Sequence, residues 1–331
     1  MMTGPVGPST TSDATATRDR LRVAVVGVGG VGGVFGARLA QHGHDVGFVA
    51  RGATLAALRE NGLRLDSVDG DVHLPSVHAT EDAASLGTVD VVFVAVKATQ
   101  IVRVAPSLHA LIGEHTLVVP LQNGVEAATL LTDVLPPEAV LEGLCRVMAM
   151  QAGPGHIKHT AVTPVLEIGP RAGATLTDAR KQTLERFVAA IRDAGMHPIV
   201  PPDMAVAIWE KFLFIEPLGA VCAAAHFTIG PVRSTPETRA LVDQALDEVV
   251  AVGRAAGVNW PAEAKAQVWQ RYDALPAEGS TSMARDLMAR RPSEFDAQTG
   301  AVIRLARRYA VPVPVHDVLH AVLLPASTPA T

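Results

Sequence analysis

Short apolar runs without polar alternation follow one another through the first part of the chain, and segments with helical spacing separate them. Runs of this kind are typical of strands that are buried on both faces, as in a parallel sheet. Alternating strands and helices with buried strands predict a doubly wound parallel sheet of the α/β class. The predicted strands are Leu21–Val26, Val46–Ala50, Val89–Val96 and Thr116–Leu121, and the predicted helices between them are Val34–Gln41, Thr99–Leu111 and Gly124–Leu135.

The pattern changes near residue 140 and again at the Pro201–Pro202 pair. Residues 140–169 predict antiparallel strands and hairpins around Gly153–Gly155. Beyond the double proline only helical patterns remain, and Pro217 predicts a kink in the first of these helices. The other predicted elements are a helix at Thr177–Ala194, a strand at His197–Val200, and helices at Met204–Ala225, Pro236–Ala256, Pro261–Tyr272, Thr281–Arg290, Glu294–Tyr309 and Val315–Leu324.

These patterns divide the chain into three parts. Residues 1–20 are rich in Ser, Thr, Pro and Gly, which predicts a disordered tail. Residues 21–200 form a predicted Rossmann-type domain, and residues 201–331 form a predicted helical domain that contributes to substrate binding and catalysis. Ligands then belong in the cleft between the two domains, at the carboxyl ends of the strands.

Composition narrows the class of protein. The 331 residues are 48% hydrophobic and 18% charged with a net charge of −5, which fits a globular chain and argues against a nucleic-acid binder. There is no apolar run of the roughly 18–20 residues that a membrane span needs, and no secretory signal, so we expect a cytoplasmic protein. Cys145 and Cys222 form no CxxC pair, which excludes a disulfide scaffold and a zinc ribbon. We expect both to be small buried side chains.

A glycine-rich turn follows the first predicted strand. Gly27, Gly29 and Gly32 match the GxGxxG pattern, with Gly30 and Val31 between them. The first glycine permits the tight turn, the second lets the backbone approach a pyrophosphate, and the third lets the helix pack closely on the sheet. The pattern therefore predicts a dinucleotide-binding turn, and a purely structural glycine turn is the alternative.

Arg51 follows the second predicted strand, where an NAD site usually has an acidic residue for the ribose hydroxyls. A guanidinium matches a phosphate in charge and in bidentate geometry, so Arg51 favours NADP(H). A solvated surface arginine is the alternative.

Three further polar residues are candidates for chemistry. Lys97 and Asn123 each follow a buried strand, at the rim where Rossmann enzymes place the nicotinamide and the substrate. Lys211 lies in an almost entirely apolar segment, where desolvation would lower its pKa toward the range that acid–base chemistry uses. The alternatives are a solvent-exposed Lys97, turn chemistry at Asn123–Gly124, and a Lys211 that extends to solvent or pairs with Glu210.

Ser282 and Glu294 lie in a polar stretch between predicted helices. Ser280 or Thr281 could be one helix N-cap and Ser293 the next, with Glu294 as a favourable first-turn acid. The residue pattern alone does not favour a functional role for Ser282 or Glu294 over this structural interpretation.

Together these motifs resemble the ketopantoate reductase (2-dehydropantoate 2-reductase) family from about Leu21 to Leu324. The resemblance implies reduction of a 2-oxo acid by NADPH, a place in pantothenate biosynthesis, and no metal. The resemblance implies that Lys211 is the general acid and that Glu294 assists Lys211 and contacts the substrate. Asn123 and Ser282 help to bind substrate, and Lys97 lies near the cofactor ribose and the substrate. Gly27, Gly29, Gly30, Val31, Gly32, Arg51, Lys97 and Asn123 are the expected cofactor-binding residues.

The chain departs from the family at two positions. The family usually has an asparagine four residues past the lysine of WEK and often another four further on, where this chain has Ile215 and Gly219. If those asparagines bind the hydroxyl end of ketopantoate, this pocket is drier there, and the neighbouring Glu216 projects about 100° around the helix. A different 2-oxo acid therefore stays open as the substrate.

Two other interpretations stay open. A β-hydroxyacid or 6-phosphogluconate-type dehydrogenase shares the plan of a Rossmann domain with helices and a catalytic lysine. The second of these is a non-catalytic NADP(H)-sensing module, which would be favoured if Lys211 were locked in a structural ion pair. The expected partner is a small-molecule 2-oxo acid rather than a nucleic acid or a membrane, and a homodimer is left open.

Overall fold

The computed structural model of the chain describes residues 20–327, so almost all of the predicted tail lies outside the described residues. The first half alternates strands and helices before a long hairpin. Its elements are β1 (Arg22–Val26), α1 (Gly30–Gln41), β2 (Asp45–Val49), α2 (Gly52–Asn61), β3 (Leu63–Ser67), β4 (Val72–Leu74), β5 (His78–Thr80), β6 (Val91–Val94), α3 (Ile101–Val104), β7 (Leu117–Pro120), α4 (Ala127–Thr132), β8 (Glu142–Gly153), β9 (His156–Gly169), α5 (Asp178–Asp193) and β10 (His197–Ile199).

Five of these strands form a parallel sheet in the order β5–β2–β1–β6–β7. All residues of β6 and β7 are buried, as the continuous apolar runs in the sequence predict. The parallel pairing brings the carboxyl ends of β1, β2, β6 and β7 to one edge of the sheet. The predicted α/β class and the Rossmann-type sheet are confirmed.

A second sheet, which the sequence only partly revealed, packs on the other side of α1. Its path runs β10–β9–β3–β4, and β8 pairs with β9 in an antiparallel hairpin. Helix α1 can lie this close to both sheets because it is rich in glycine. A Cβ at Gly33 would lie 2.5 Å from the Ile157 side chain of β9, and a Cβ at Gly36 would lie 2.5 Å from the Phe48 ring of β2.

Helices make up the rest of the described chain, and residues 201–327 contain no assigned strand. Within residues 20–327, no helix is both long and apolar enough to span a bilayer. The elements are α6 (Met204–Ala225), α7 (Ile229–Ser234), α8 (Pro236–Ala255), α9 (Ala264–Ala274), α10 (Ser282–Met288), a single-turn π-helix (Asp296–Gly300), α11 (Ala301–Tyr309) and α12 (Pro314–Ser327).

Helix α6 is the centre of this helical region. It is apolar around almost its whole circumference, which is typical of a helix that is enclosed by others. Helices α8, α10 and α12 pack against it. The helix continues through Pro217, although a proline removes the bond to the carbonyl four residues earlier. The carbonyl that Pro217 leaves without its helical partner is that of Leu213. The buried hydroxyl of Tyr272 lies 3.2 Å from it and donates to the Phe214 carbonyl at 2.8 Å.

The predicted helix at Thr99–Leu111 is largely wrong. The segment contains one four-residue α-helix, α3, between 3₁₀ turns at Ala98–Gln100 and Ala105–Leu111. Pro106 is the physical reason, because it lacks the N–H that a continuing α-helix requires. The two cysteines are as predicted: both are free and buried.

Candidate active site

The glycine-rich turn joins β1 to α1 and has a glycine at each point where a side chain would collide. Gly27 has a φ of +101°, and a Cβ there would lie 2.7 Å from the backbone nitrogen of Val96. A Cβ at Gly32 would overlap the carbonyl oxygen of Gly27. A Cβ at Gly29, in contrast, would meet no heavy atom within 4 Å. The backbone at Gly29 therefore borders open space, which is what the approach of a pyrophosphate requires.

The N-terminus of α1 adds hydrogen-bond donors beside this space. Because the helix begins at Gly30, the N–H groups of Gly30, Val31 and Gly32 have no intrahelical carbonyl to bind. Unpaired N–H groups and the positive end of the helix dipole favour a phosphate here. Gly30 also lies against β8, since a Cβ there would lie 2.6 Å from the Ala149 carbonyl oxygen. The turn fits the pyrophosphate of a dinucleotide.

Arg51 lies just beyond the carboxyl end of β2, on the edge of the sheet that carries the glycine turn. Its side chain is exposed, and its Nε lies 3.5 Å from Oε1 of Glu81, which follows β5. An exposed pair of this kind contributes only about 0–1 kcal/mol. The guanidinium is therefore available to an anionic ligand, although a carboxylate competes for it.

Lys211 lies two turns into α6, and the Asp203 side chain caps the start of that helix by accepting from the Val206 N–H at 3.1 Å. The lysine side chain crosses to the first half of the molecule, where Nζ donates to the carbonyl oxygen of Cys145 in β8 at 2.8 Å. Burial lowers the pKa of Lys211, and the nearby Cys145 and Glu294 oppose that shift. Lys211 is thus held by a neutral carbonyl, and no ion pair with Glu210 is formed in the described residues.

Glu294 lies between α10 and the π-helix and reaches the same cleft from the helical side. Its Oε2 accepts a hydrogen bond from Nδ2 of Asn123 at 2.8 Å. Burial raises the pKa of Glu294, while the Asn123 hydrogen bond and the charges of Lys211 and Lys97 oppose the rise. The carboxyl group is therefore partly desolvated and lies within the electrostatic reach of both lysines.

Asn123 is positioned by the residues on either side of it. Nε2 of Gln122 donates to the carbonyls of Val94 and Val96 at 2.8 and 2.7 Å, which fixes the turn after β7 to the end of β6. Gly124 has a φ of +109°, and a Cβ there would lie 2.5 Å from the carbonyl oxygen of Ala297 in the π-helix. The turn can therefore lie directly against the helical region, which brings Asn123 to Glu294.

Lys97 is more exposed than Lys211 and also spans the two halves. Its Nζ donates to the Pro292 carbonyl at 2.7 Å and lies 3.7 Å from Oδ2 of Asp286 in α10. Asp286 also accepts from Nε of Arg291 at 3.1 Å. Asp286 was not among the predicted site residues, because an acidic residue inside a helix has no distinctive sequence signal.

Ser282 stands apart from the other candidates. It is exposed at the first turn of α10, and the N-cap of that helix is Thr281, whose hydroxyl accepts from the Ala284 N–H at 3.1 Å. Gly219 faces this cap closely, since a Cβ there would lie 2.6 Å from Oγ1 of Thr281. Ser293 Oγ also accepts from the Phe295 N–H at 3.3 Å, but the π-helix begins at Asp296 with Phe295 as its N-cap. The capping interpretation is therefore confirmed for Thr281 and wrong for Ser293.

The structure thus brings Lys97, Asn123, Lys211 and Glu294 to one cleft, at the carboxyl ends of β6 and β7 and beside the glycine turn. An ammonium with a lowered pKa, a carboxyl with a raised pKa and an amide can together bind a carbonyl compound and deliver a proton. Within residues 20–327 no cluster of His, Cys, Asp or Glu could hold a metal ion. The sequence did not reveal the Cys145 carbonyl as the acceptor for Lys211, because a backbone group carries no side-chain signal.

Comparison with known proteins shows which family the chain belongs to. The family model described as "Ketopantoate reductase PanE/ApbA" matches residues 23–173, and its C-terminal counterpart matches residues 203–326. A 2-dehydropantoate 2-reductase of Mycobacterium tuberculosis is 31% identical, covering 92% of this chain and 97% of that protein. The corresponding protein of Mesorhizobium japonicum is 30% identical, with coverage of 92% and 97%.

A solved structure agrees with these sequence matches. The PanE/ApbA family ketopantoate reductase of Ralstonia eutropha superposes with a TM-score of 0.82 at 28% identity, covering 93% of this chain and 98% of that one. Both halves are matched in order, and the glycine turn fits the cofactor class that the fold implies. The chain therefore belongs to the ketopantoate reductase family and is an oxidoreductase that uses a nicotinamide cofactor.

Proposed function

We propose that the protein reduces a 2-oxo acid with NADPH, and that 2-dehydropantoate (ketopantoate), which becomes pantoate, is the first candidate substrate. The observation that carries the proposal is the position of Lys211, whose ammonium reaches from α6 to the Cys145 carbonyl beside Glu294. A small 2-oxo acid in the cytoplasm is the proposed partner, and a homodimer remains a prediction. The names of the relatives support the substrate class.

The proposed chemistry divides between the cofactor and the chain. NADPH, when bound, would supply the hydride, and Gly27, Gly29 and the first N–H groups of α1 would hold its pyrophosphate. As negative charge grows on the 2-oxo oxygen, the Lys211 ammonium stabilises it and gives up a proton. Lys211 exchanges its bond to the Cys145 carbonyl for a bond to the substrate oxygen. A lowered pKa makes it a better acid for this step than an exposed lysine.

Glu294 and Asn123 have supporting roles in this proposal. The Asn123 amide donates to the Glu294 carboxyl at 2.8 Å and so fixes that carboxyl within electrostatic reach of Lys211. A carboxyl with a raised pKa can contact a substrate hydroxyl and can take part in returning a proton to Lys211. Lys97 supplies a second positive charge for the substrate carboxylate or the cofactor ribose. Ser282 is exposed at the first turn of α10 and makes no hydrogen bond with any of these four residues, and a substrate-binding role for it stays a prediction.

Replacing Arg51 by alanine tests the choice of cofactor. We expect about a 10–100-fold weaker NADPH affinity, because charge-assisted hydrogen bonds to a phosphate are worth roughly 1.5–3 kcal/mol. Binding of NADH, which lacks the 2′-phosphate, should change little. Fluorescence titration with each cofactor measures both, and Arg192→Ala, an exposed arginine at the end of α5, is the matched control. An equal loss for NADPH and NADH would remove Arg51 from phosphate binding.

The substrate side of the pocket favours a second candidate, another 2-oxo acid. Ile215 lies one turn past Lys211 and cannot hydrogen-bond a hydroxyl. Gly219 packs on Thr281 too closely to accept a side chain there without movement. Glu216 does not substitute, because it is fully buried and is bound to Thr299 and His316. A hydroxyl at the end of the substrate therefore has fewer partners on α6 than ketopantoate would use.

A steady-state screen of 2-oxo acids decides between these candidates. Purified protein and NADPH are combined with ketopantoate and with 3,3-dimethyl-2-oxobutanoate, which differs from ketopantoate only by lacking the hydroxyl. We expect NADPH oxidation with at least one of them and slower turnover with NADH. Comparable kcat/KM for the two acids would favour the second candidate. Tight NADPH binding without turnover of any acid would contradict the proposal and favour a cofactor sensor.

A further inference from the structure

A buried ionic network lies behind the candidate site, inside the helical region. Glu216 of α6, Glu248 of α8 and His316 of α12 are all buried, and Glu216 and His316 have no exposed surface. Nε2 of His316 donates to Oε2 of Glu216 at 2.8 Å, and Nδ1 donates to Oε2 of Glu248 at 2.6 Å. Burial lowers the pKa of His316, but the two carboxylates outweigh it and raise the pKa to about 9. The imidazole is therefore a cation at neutral pH, held between two anions.

Both oxygens of each carboxylate accept at least one hydrogen bond. Glu248 accepts from the backbone N–H groups of Val315 at 2.7 Å and His316 at 2.9 Å. Oε1 of Glu216 accepts from the hydroxyl of Thr299 at 2.8 Å, and Thr299 is fully buried in the π-helix. A buried polar network in which every member is satisfied has one preferred geometry, because any displacement leaves a charge without its partner.

The network joins the two segments that carry the candidate acid and its neighbouring carboxyl. Glu216 lies five residues after Lys211 on the same helix, and Thr299 lies five residues after Glu294. No other hydrogen bond between side chains in the described residues ties α6 to the π-helix. Short π-helices are uncommon and are found often at functional sites.

We propose that the Glu216–Thr299 hydrogen bond is a positioning contact, which holds the segment of Glu294 at its working distance from Lys211. His316 and Glu248 keep the Glu216 carboxylate in place for that contact. The effect of this contact on catalysis rests on the proposed function, but its effect on the position of Glu294 does not. If the contact is lost, Glu294 moves relative to Lys211 while the glycine turn, which lies on the other half of the molecule, is unaffected.

The test uses the small number of lysines. The chain has five, Lys97, Lys158, Lys181, Lys211 and Lys265, so ¹³C-lysine labelling gives few side-chain signals, and Lys211→Arg assigns the relevant one. The charged and titratable groups that act on Lys211 are Cys145, Glu294 and Arg146. Because the Glu294 carboxylate raises the Lys211 pKa, its displacement in Thr299→Val should lower that pKa relative to the wild type. This readout does not depend on turnover.

Three variants complete the design. Thr299→Ser keeps the hydroxyl and should preserve the Lys211 pKa, and Thr183→Val removes a buried hydroxyl from α5, far from the site, as a matched control for stability. Thr299→Ala replaces Thr299→Val if the valine variant does not fold. We also expect kcat to fall about 10²-fold in the Thr299→Val or Thr299→Ala variant, with NADPH affinity unchanged.

The outcomes separate the claim of a positioning contact from the claim of the proposed function. A lowered Lys211 pKa in Thr299→Val, restored in Thr299→Ser and absent in Thr183→Val, supports the positioning contact even if the wild type reduces no 2-oxo acid. A Lys211 pKa that stays at the wild-type value in Thr299→Val, or that shifts equally in Thr183→Val, overturns it. Absence of turnover in the wild type contradicts only the proposed function.

Discussion

Lys211→Ala should lower kcat by about 10²–10⁴-fold, the range that a positioned general acid contributes. The loss follows from the geometry, because Lys211 is the ammonium that reaches across the cleft from α6, beside Glu294. Affinity for NADPH should stay close to the wild-type value, since the glycine turn and Arg51 lie on the other half of the molecule. Steady-state kinetics with the best 2-oxo acid and a cofactor titration give both numbers.

Lys181→Ala is the matched control for that experiment. Lys181 is exposed on α5 and pairs with Asp178 at 3.1 Å, so its removal should leave kcat unchanged. In the wild type, the rate of reduction should fall as the pH rises through the Lys211 pKa, because only the protonated amine can act as an acid. A Lys211→Ala enzyme with wild-type kcat would remove this residue from the mechanism.

His316→Ala should have the largest effect on stability, a loss of about 3–5 kcal/mol in the free energy of unfolding. The substitution removes the cation and leaves the carboxylates of Glu216 and Glu248 buried and facing one another. Denaturant unfolding of the two proteins at neutral pH measures the difference. His73→Ala, at an exposed histidine in β4, is the control and should change stability little.

The same network predicts how the effect depends on pH. The pKa of His316 rises from 6.5 to about 9 on folding, so its protonation stabilises the folded state by about 3 kcal/mol. A raised pKa means that this stabilisation is complete below pH 6.5 and is lost as the pH rises through about 9. The stability difference between wild type and His316→Ala should shrink over that interval. A difference that is constant from pH 6 to pH 9.5 would show that His316 is not the cation of the network.

The parts of the site that depend on local pattern could be predicted from the sequence. The strand–turn–helix around Gly27–Gly32 is specified by neighbouring residues, and buried runs ending at Lys97 and near Asn123 place those side chains at the sheet edge. The residues of α6 are predicted to the same bounds because an apolar helix with an acidic N-cap has a strong signal.

The rest depends on contacts between distant parts of the chain. Asn123 and Glu294 are 171 positions apart, and no periodicity indicates that the turn after β7 meets the segment before the π-helix. The short strands β3, β4 and β5 are only partly apolar and gain their identity from pairing in the sheets. Glu216 was considered as a pocket residue, and only the fold reveals His316 as its partner.

The central claim is that a desolvated Lys211 ammonium supplies the proton in this cleft, and titration of its ¹³C-lysine signal in the wild-type protein tests it most directly. Burial in the cleft predicts a pKa below the ordinary value of 10.5, and saturation with NADPH should leave the residue titratable. A pKa at or above 10.5 would mean that the amine is solvated or paired as on an ordinary surface. That result would contradict the account of Lys211 as the acid.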